Sequence, residues 1–306
     1  MRVFYFIKSI VKRLLLLDKD DNLSTLFILK KWNILIGKYL FHKKYNTQDI
    51  IHILEEQGIR KGSNIFIHCA WDSFYNYEDS IEDLLNAIME HIGPEGTIAM
   101  PAFPIHRKKT FHVKRTPTAA GMLAEMFRRT PNVKRSCNVR HSVCALGPLS
   151  EYLTCDHHKS LVCFDEFSPY YRLCEKGFKV LLLGLPPYYI GTFQYVSQAT
   201  MRHQIPYFSQ FYDENRLEEE SYIDYDGNEK KYVQIHEPSF FFRKSYYKGK
   251  HIIKKYFPKE KYNIKRISNL YITCIDANYA NEKFIELAKK NIFLYNYPLV
   301  KKSQRL

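Results

Sequence analysis

A few residues in this sequence are of types, and in places, that suit chemistry. His68 ends an apolar run and His141 precedes another, and an imidazole that titrates near neutrality can accept a proton from a reacting group. Arg135 is followed by Ser136, so a guanidinium and a hydroxyl together can hold a phosphate. Pro101 closes a third apolar run, and the end of a strand exposes backbone groups to a ligand. Taken by themselves, Arg135 and Ser136 are more simply interpreted as an exposed pair.

The seven cysteines argue against a metal centre and against a disulfide framework. They are odd in number and scattered, and no two of them are spaced as Cys-x-x-Cys. Single cysteines in apolar runs usually behave as small buried hydrophobic residues. We therefore predict a cytoplasmic protein without a metal cofactor.

The net charge of +14 is concentrated in two segments. Residues 1–46 hold ten Lys and Arg against three Asp, and residues 243–266 hold ten against one Glu. Such segments suit nucleic acid, an anionic membrane or a polyanionic ligand such as a nucleotide cofactor, and a solvated basic face is the simpler alternative. The sequence contains no helix-turn-helix, RNA-binding aromatic motif or zinc finger, so we predict no nucleic-acid partner.

Alternating strands and helices must position the chemical residues. Short apolar runs bounded by Gly or Pro predict buried strands, and N-capping residues followed by helical periodicity predict helices. The predicted strands are 64–68, 97–100, 142–146 and 179–183, and the predicted helices include 47–57, 81–92, 120–129 and 281–293. This order predicts an α/β fold with a central mixed, mostly parallel sheet and helices on both faces.

The chain divides by composition into an extension and a main domain. We predict a basic N-terminal helical extension over residues 1–46 and an α/β domain over 47–306. Within the extension, residues 1–17 combine apolar side chains at i, i+3 and i+4 with Lys and Arg on another arc. This pattern predicts a helix that contacts a membrane peripherally, or one that packs on the domain or on a second subunit. The tract 208–270 is predicted to be an inserted β-rich, basic subdomain with a β-ribbon around Asp226-Gly227.

Six segments between Gly62 and Tyr170 carry a resemblance to a known family. They are Gly62-Ser63-Asn64-Ile65-Phe66-Ile67-His68, Gly93-Pro94-Glu95-Gly96-Thr97-Ile98-Ala99-Met100-Pro101, Thr116-Pro117-Thr118-Ala119-Ala120-Gly121-Met122-Leu123-Ala124-Glu125-Met126-Phe127-Arg128-Arg129, Val133-Lys134-Arg135-Ser136, His141-Ser142-Val143-Cys144-Ala145-Leu146-Gly147 and Phe167-Ser168-Pro169-Tyr170. In this order and spacing the sequence resembles the aminoglycoside 3-N-acetyltransferase family over roughly residues 47–210. The helix at 281–293 fits the end of that family.

The resemblance implies transfer of an acetyl group from acetyl-CoA to an amine, without a metal. By motif position, the residues expected to contact the cofactor are Cys69, Pro101, Ala102, Phe103, Arg135, Ser136 and Ser142. Several of these differ from the family pattern: Ala102-Phe103 stands where a threonine pair is common, and Cys69 where a serine is common.

The catalytic pattern of the family is not retained. Its Thr-x-x-His-x-x-Glu motif uses the histidine to deprotonate the attacking amine, and the matching segment here is Thr192-Phe193-Gln194-Tyr195-Val196-Ser197-Gln198. Aligned without a gap, Tyr195 replaces the histidine and Gln198 the glutamate; with a one-residue gap, no histidine aligns and Ser197 replaces the glutamate. The remaining candidates for the activating group are His141, Tyr195 and His68. Tyr195 would need a neighbouring cation to lower its pKa.

Two interpretations from different functional classes remain open. The favoured one is a coenzyme A-dependent N-acyltransferase acting on an amino sugar in surface glycan biosynthesis, at the inner membrane face and as a monomer or homo-oligomer. The other is a non-catalytic or repurposed member of the same fold that acts as a binding or scaffold protein. Several polar residues of the family's site are replaced at once in this sequence. Such replacement is expected both of an enzyme that acts on a different substrate and of a protein that has lost the activity.

Overall fold

The computed structural model describes residues 25–105, 110–237 and 247–295, together with positions 11, 12 and 15. The predicted helix at 1–17 therefore lies outside the described residues, apart from those three positions. Among the helices that are described, none combines the length and the apolar character needed to cross a bilayer.

The strands of the described residues form two sheets. They are β1 (Asn64–Cys69), β2 (Thr97–Pro101), β3 (Phe111–His112), β4 (Lys134–Arg135), β5 (Val143–Leu146), β6 (Lys179–Leu183), β7 (Asp213–Ile223), β8 (Glu229–His236), β9 (Tyr262–Ile267) and β10 (Leu270–Asp276). The main sheet has seven strands in the order β4-β5-β2-β1-β6-β10-β9, and the second has the order β3-β7-β8. All four strands predicted from the sequence lie in the main sheet, and the predicted mixed α/β fold is confirmed.

The direction of the strands needs one correction. Among the described strands of the main sheet, the parallel pairs are those that β1 makes with β2 on one side and with β6 on the other. The remaining pairs of the main sheet are antiparallel, including β2 with β5. The sheet is therefore mixed but not mostly parallel. The connections from β4 to β5 and from β9 to β10 are too short for the crossover that parallel pairing needs.

Helices cover both faces of the main sheet. They are α1 (Thr25–Leu40), α2 (Thr47–Glu56), α3 (Ile81–Ile92), α4 (Met122–Arg129), α5 (Ser150–Thr154), α6 (Pro169–Glu175), α7 (Tyr195–Thr200), α8 (Pro206–Ser209), α9 (Gly249–Tyr256) and α10 (Ala277–Lys289). Alternate residues of each strand enter opposite cores: Phe66 packs with α6, α7 and α10, whereas Ile65 and Ile67 pack with α2, α3 and α4.

The tract 208–270 divides between the two sheets. Strands β7 and β8 form a hairpin whose turn contains Gly227 at φ +89°, and they join β3 over a small core that includes Phe111 and Tyr232. Strand β9, in contrast, is one of the two edge strands of the main sheet. The domain boundaries proposed from the sequence stay a prediction.

Candidate active site

The carboxyl ends of the parallel strands β1, β2 and β6 meet at one edge of the main sheet. Strand β5 begins beside them, because Pro101 pairs with Val143 and the Ala102 amide donates to the Ser142 carbonyl at 2.7 Å. Ligands of α/β sheets bind outside the carboxyl ends of the strands. Most of the residues predicted from the sequence to be catalytic or to bind the cofactor lie at this edge.

His141 and Tyr195 meet at one aromatic ring. The centroid of the Phe164 ring lies 4.6 Å from that of His141 and 5.2 Å from that of Tyr195. Phe103 approaches His141 from another side, with ring centroids 6.4 Å apart. His141 is half-buried, whereas Tyr195 is only 3% exposed. Two of the three predicted catalytic residues thus share one environment although 53 positions separate them.

His68 reaches the same environment through two further rings. Its imidazole packs edge-on against Phe66, with centroids 5.0 Å apart, and Phe66 packs against Tyr170 at 5.6 Å. Tyr170 in turn lies 4.8 Å from Phe164. We call Phe66, Tyr170 and Phe164 the aromatic bridge, because these three rings join all three predicted catalytic side chains.

The imidazole of His68 is buried and faces a glycine. Its Nε2 has no hydrogen-bond partner within the part of the chain that the structure describes. Burial lowers the pKa of His68 to about 4, so the ring is neutral at physiological pH. A Cβ at Gly191 would lie 2.7 Å from this nitrogen, and Gly191 also has φ +67°, which a side chain rarely tolerates. His68 therefore offers a neutral polar atom to a ligand at the sheet edge.

The segment that replaces the family's histidine motif is buried as well. Tyr195 begins α7, and Gln194, Ser197 and Gln198 are each at most 5% exposed. The Oε1 atoms of Gln194 and Gln198 lack hydrogen-bond donors among the described residues. A buried amide oxygen without a donor is costly, which marks this segment as one that a ligand or water completes.

Arg135 is part of the protein interior. It donates to the carbonyls of Ala102 and Thr116 and to the Ser142 hydroxyl, and it stacks over Phe111 at 4.7 Å. Ser142 donates to the same Ala102 carbonyl at 2.8 Å. Burial lowers the pKa of Arg135 to about 10. The predicted contact between Arg135 and a phosphate does not fit this geometry, because its guanidinium supports the strand end from beneath.

Ser136 is likewise bonded to protein groups. Its hydroxyl lies 2.8 Å from Nδ1 of His157 and accepts from the Val143 amide at 2.9 Å. Because the Cys163 carbonyl can only accept, Nε2 of His157 carries the proton and Nδ1 accepts from Ser136. Both side chains are fully buried, and burial lowers the pKa of His157 to about 3. This pair is a structural anchor, and nothing in the sequence around His157 indicated it.

The other residues assigned to the cofactor line the strand ends. Pro101 and Ala102 are buried, whereas Phe103 and Cys69 are half-buried at the edge. Burial raises the pKa of the Cys69 thiol, which stays protonated. The Phe103 carbonyl accepts from the Thr118 hydroxyl at 2.8 Å, a support that the sequence did not reveal.

No group of three or more His, Cys, Asp or Glu side chains within the described ranges is arranged to hold a metal ion.

Comparisons with known proteins give a consistent result. The family model described as aminoglycoside 3-N-acetyltransferase matches residues 66–285. Aminoglycoside N(3)-acetyltransferase IV of Salmonella sp is 29% identical over 46% of this chain and 54% of its own length. A prophage-derived aminoglycoside N(3')-acetyltransferase-like protein of Bacillus subtilis is 27% identical over 45% and 59%. The chain thus spans little more than half the length of these curated relatives.

Solved structures share the fold. Aminoglycoside acetyltransferase AAC(3)-Xa superposes with a TM-score of 0.69 over 86% of this chain and 99% of its own, at 18% identity. A binary complex of AAC-IIIb with CoASH superposes with a TM-score of 0.66 over 83% of this chain and 100% of its own, at 20% identity.

Proposed function

Because this chain belongs to the aminoglycoside 3-N-acetyltransferase family, we propose that it transfers an acetyl group from acetyl-CoA to the amine of an amino sugar. The observation that carries the proposal is the meeting of His68, His141 and Tyr195 on the aromatic bridge at the carboxyl edge of the sheet. The relatives are named for acetylating aminoglycosides, which are amino sugars, and this supports the acceptor class. We place the acceptor in surface glycan biosynthesis, because the basic segment 1–46 resembles that of family members associated with bacterial surface-sugar biosynthesis.

The donor needs cations for its phosphates, and a groove of about 940 Å³ supplies them. We call it the α4 groove; Lys114, Arg115, Arg128 and Arg129 line it together with Asp224, Asp226 and Tyr225. Arg128 and Arg129 both bind Glu125, whereas Lys114 and Arg115 have no ion pair among the described residues. These cations suit a diphosphate, and the half-exposed Phe103 suits the apolar part of a pantetheine arm. When bound, the thioester of acetyl-CoA supplies the acetyl group.

His141 is the side chain best placed to take the proton from the acceptor. An ammonium has no lone pair, so the amine must be neutral when it attacks a thioester. A base must also return its proton to solvent, and of the three candidates only His141 is half-exposed. His68 is neutral, and its Nε2 has no partner among the described residues, which suits orientation of the acceptor through a hydrogen bond to this nitrogen.

Calorimetric titration with acetyl-CoA and with free CoA tests the donor site, and release of free thiol in the presence of amino sugars tests transfer. We expect both donors to bind and thiol release to depend on the amine. Binding without transfer to any amino sugar would favour the alternative, a binding or scaffold protein that keeps the fold. Absence of CoA binding would overturn the enzymatic proposal.

Peripheral contact with an anionic membrane at the cytoplasmic face is the second part of the proposal, and α1 supports it. Five large apolar side chains of this helix are exposed at i, i+3, i+4, i+7 and i+8: Trp32, Leu35, Ile36, Tyr39 and Leu40. The opposite side faces the protein, because a Cβ at Gly37 would lie 2.0 Å from the Tyr75 hydroxyl. An exposed stripe that contains Trp and Tyr is typical of a helix lying at a membrane interface.

Charge favours lipid over a second copy of the chain as the occupant. Residues 1–46 carry a net charge of +7, from ten cations and three anions, so a two-fold contact here would bring like charges together. Five side chains are also fewer than the roughly 20–30 residues that each partner contributes to a stable protein interface.

Co-sedimentation with liposomes tests the membrane contact. We expect wild-type protein to pellet with anionic but not with neutral vesicles, and Trp32→Ser/Tyr39→Ser to stay in the supernatant. Leu217→Ser/Val233→Ser, which removes two exposed apolar side chains elsewhere, is the matched control and should pellet. Equal pelleting of both variants would refute a role for α1, and a dimer lost in the α1 variant would assign the stripe to self-association.

A further inference from the structure

A second groove, of about 790 Å³, lies on the other side of the central strand β1 from the α4 groove. We call it the tyrosine groove; Tyr188, Tyr262, Tyr271, Lys254, Lys259 and Lys265 are among the residues that line it. They come from the loop after β6, from α9 and the turn that follows it, and from β9 and β10. This groove thus contains part of the basic segment 243–266, for which the family resemblance provides no role.

The half-buried ring of Tyr188 gives the groove an aromatic wall, and the ring of Tyr262, only 3% exposed, packs behind it. The rings of Tyr188 and Tyr262 are nearly parallel, at 12°, with centroids 5.9 Å apart. The Tyr262 hydroxyl donates to the Tyr189 carbonyl at 2.5 Å, which ties the loop after β6 to β9. Tyr188 has φ +62°, which a residue with a side chain adopts only where its surroundings impose it. An aromatic face held in place like that of Tyr188 is suited to stacking on a nucleobase.

Two of the three lysines named for the groove are available to meet an anion. Lys254 and Lys259 are exposed and make no ion pair with any described residue, whereas Lys265 binds Glu56 at 2.9 Å. Glu260 also lines the groove, so the two free ammonium groups leave it with an excess of positive charge. Ammonium groups beside an aromatic wall match the phosphates and the base of a nucleotide.

The same loop connects the groove to the candidate active site. Tyr188 lies in the groove, and Gly191, three residues later, contacts His68. Three residues span at most roughly 10 Å, so a ligand held against Tyr188 can extend to the carboxyl edge of the sheet. The α4 groove lies towards β4 and β5, and the tyrosine groove lies towards β10 and β9, with the predicted catalytic side chains between them.

We propose that the tyrosine groove binds the nucleoside diphosphate part of the acceptor, which makes the acceptor a nucleotide-linked amino sugar. The amine nitrogen then forms a bond to the acetyl carbon and the C–S bond breaks, so that CoA leaves as the thiolate. The proton released by the amine passes to His141 and from there to solvent, and the thiolate takes up a proton from solvent. A polycationic acceptor would instead be repelled by Lys254 and Lys259. The assignment to the acceptor rests on the proposed function, but binding of a nucleotide in the groove does not.

Calorimetry with UDP, GDP and dTDP tests the groove. We expect at least one of them to bind wild-type protein, and Lys254→Ala/Lys259→Ala to bind it at least tenfold more weakly. The matched control is Lys250→Ala/Lys255→Ala, which removes two cations from the same helix that do not line the groove, and it should keep wild-type affinity. Thermal unfolding of both variants checks that each is folded.

A parallel titration with CoA separates this proposal from the proposed function. We expect the groove variant to bind CoA with unchanged affinity, because CoA is assigned to the α4 groove. Failure of wild-type protein to bind any of the three nucleotides would overturn the groove proposal while leaving CoA binding and acetyl transfer to simple amino sugars intact. A tenfold loss of CoA affinity in the groove variant would also overturn it, because the groove would then belong to the donor.

Discussion

Acid should destabilise this protein through two buried histidines. His157 and His68 have pKa values of about 3 and about 4 in the folded chain, against an ordinary value of 6.5, because burial disfavours the charged ring. The unfolded chain therefore binds more protons than the folded chain between these values. The stability that the neutral rings provide is complete above pH 6.5 and is lost as the pH falls towards 3.

The size of the effect follows from these values. Between pH 7 and pH 5 an ordinary histidine becomes almost fully protonated in the unfolded chain, whereas His157 and His68 stay neutral in the folded chain. Linkage then predicts a loss of about 2 kcal/mol per histidine over this interval, or about 4 kcal/mol for the pair. Depressed carboxyl pKa values, such as that of Glu125 at about 2, act mainly below pH 5. Burial also lowers the pKa of the half-buried His158, which therefore adds to the loss in the same direction.

Urea denaturation at pH 5, 6, 7 and 8 measures the effect in two variants. His157→Asn should lower the free energy of unfolding at pH 7 and should also reduce its fall between pH 7 and pH 5 by about 2 kcal/mol. Ser136→Ala is the control, because it removes the hydroxyl that His157 binds but keeps the buried ring, so the fall should persist. An unchanged pH dependence in His157→Asn would refute the reasoning.

Three further predictions concern the site. Arg135→Met should lower the free energy of unfolding by about 3 kcal/mol in urea titrations, since buried carbonyls lose their donor; a loss below 1 kcal/mol would show that water replaces the guanidinium. Gly191→Ala should lower the thermal midpoint and weaken amino-sugar binding, because its Cβ meets His68 and its φ is positive; an unchanged midpoint would contradict the geometry. His141→Ala should reduce turnover by on the order of 10²-fold or more in steady-state kinetics, and Tyr195→Phe should reduce it less. Weaker CoA binding with unchanged turnover in His141→Ala would make His141 a binding residue.

Much of the architecture is readable in the sequence because the signals are local. Each of the four predicted strands is a short apolar run with Gly or Pro near one of its ends, and each is found in the main sheet within one or two residues. Ser80 begins α3 through a capping box with Asp83, as a serine before an apolar helical pattern predicts. Strand direction is not local, since apolar runs look the same in parallel and antiparallel pairs. The predominance of antiparallel pairs therefore came only from the structure.

The candidate site also has some features that follow from local sequence and others that depend on contacts between distant residues. Motif position was enough to select His68, His141 and Tyr195, but their meeting depends on Phe164 and on strands far apart in the chain. The chemical type of Arg135, beside Ser136, predicted a phosphate contact.

The structure does not support this phosphate contact. The guanidinium of Arg135 lies beneath the end of β2, where it donates hydrogen bonds to buried backbone carbonyls. The sequence specifies the chemical type of each side chain. The burial of that side chain and its hydrogen-bond partners depend on which strands and helices, distant in the chain, pack around it. The sequence by itself therefore determined the strands, the caps and the family. The tertiary structure alone decided which polar groups support the site and which remain available to a ligand.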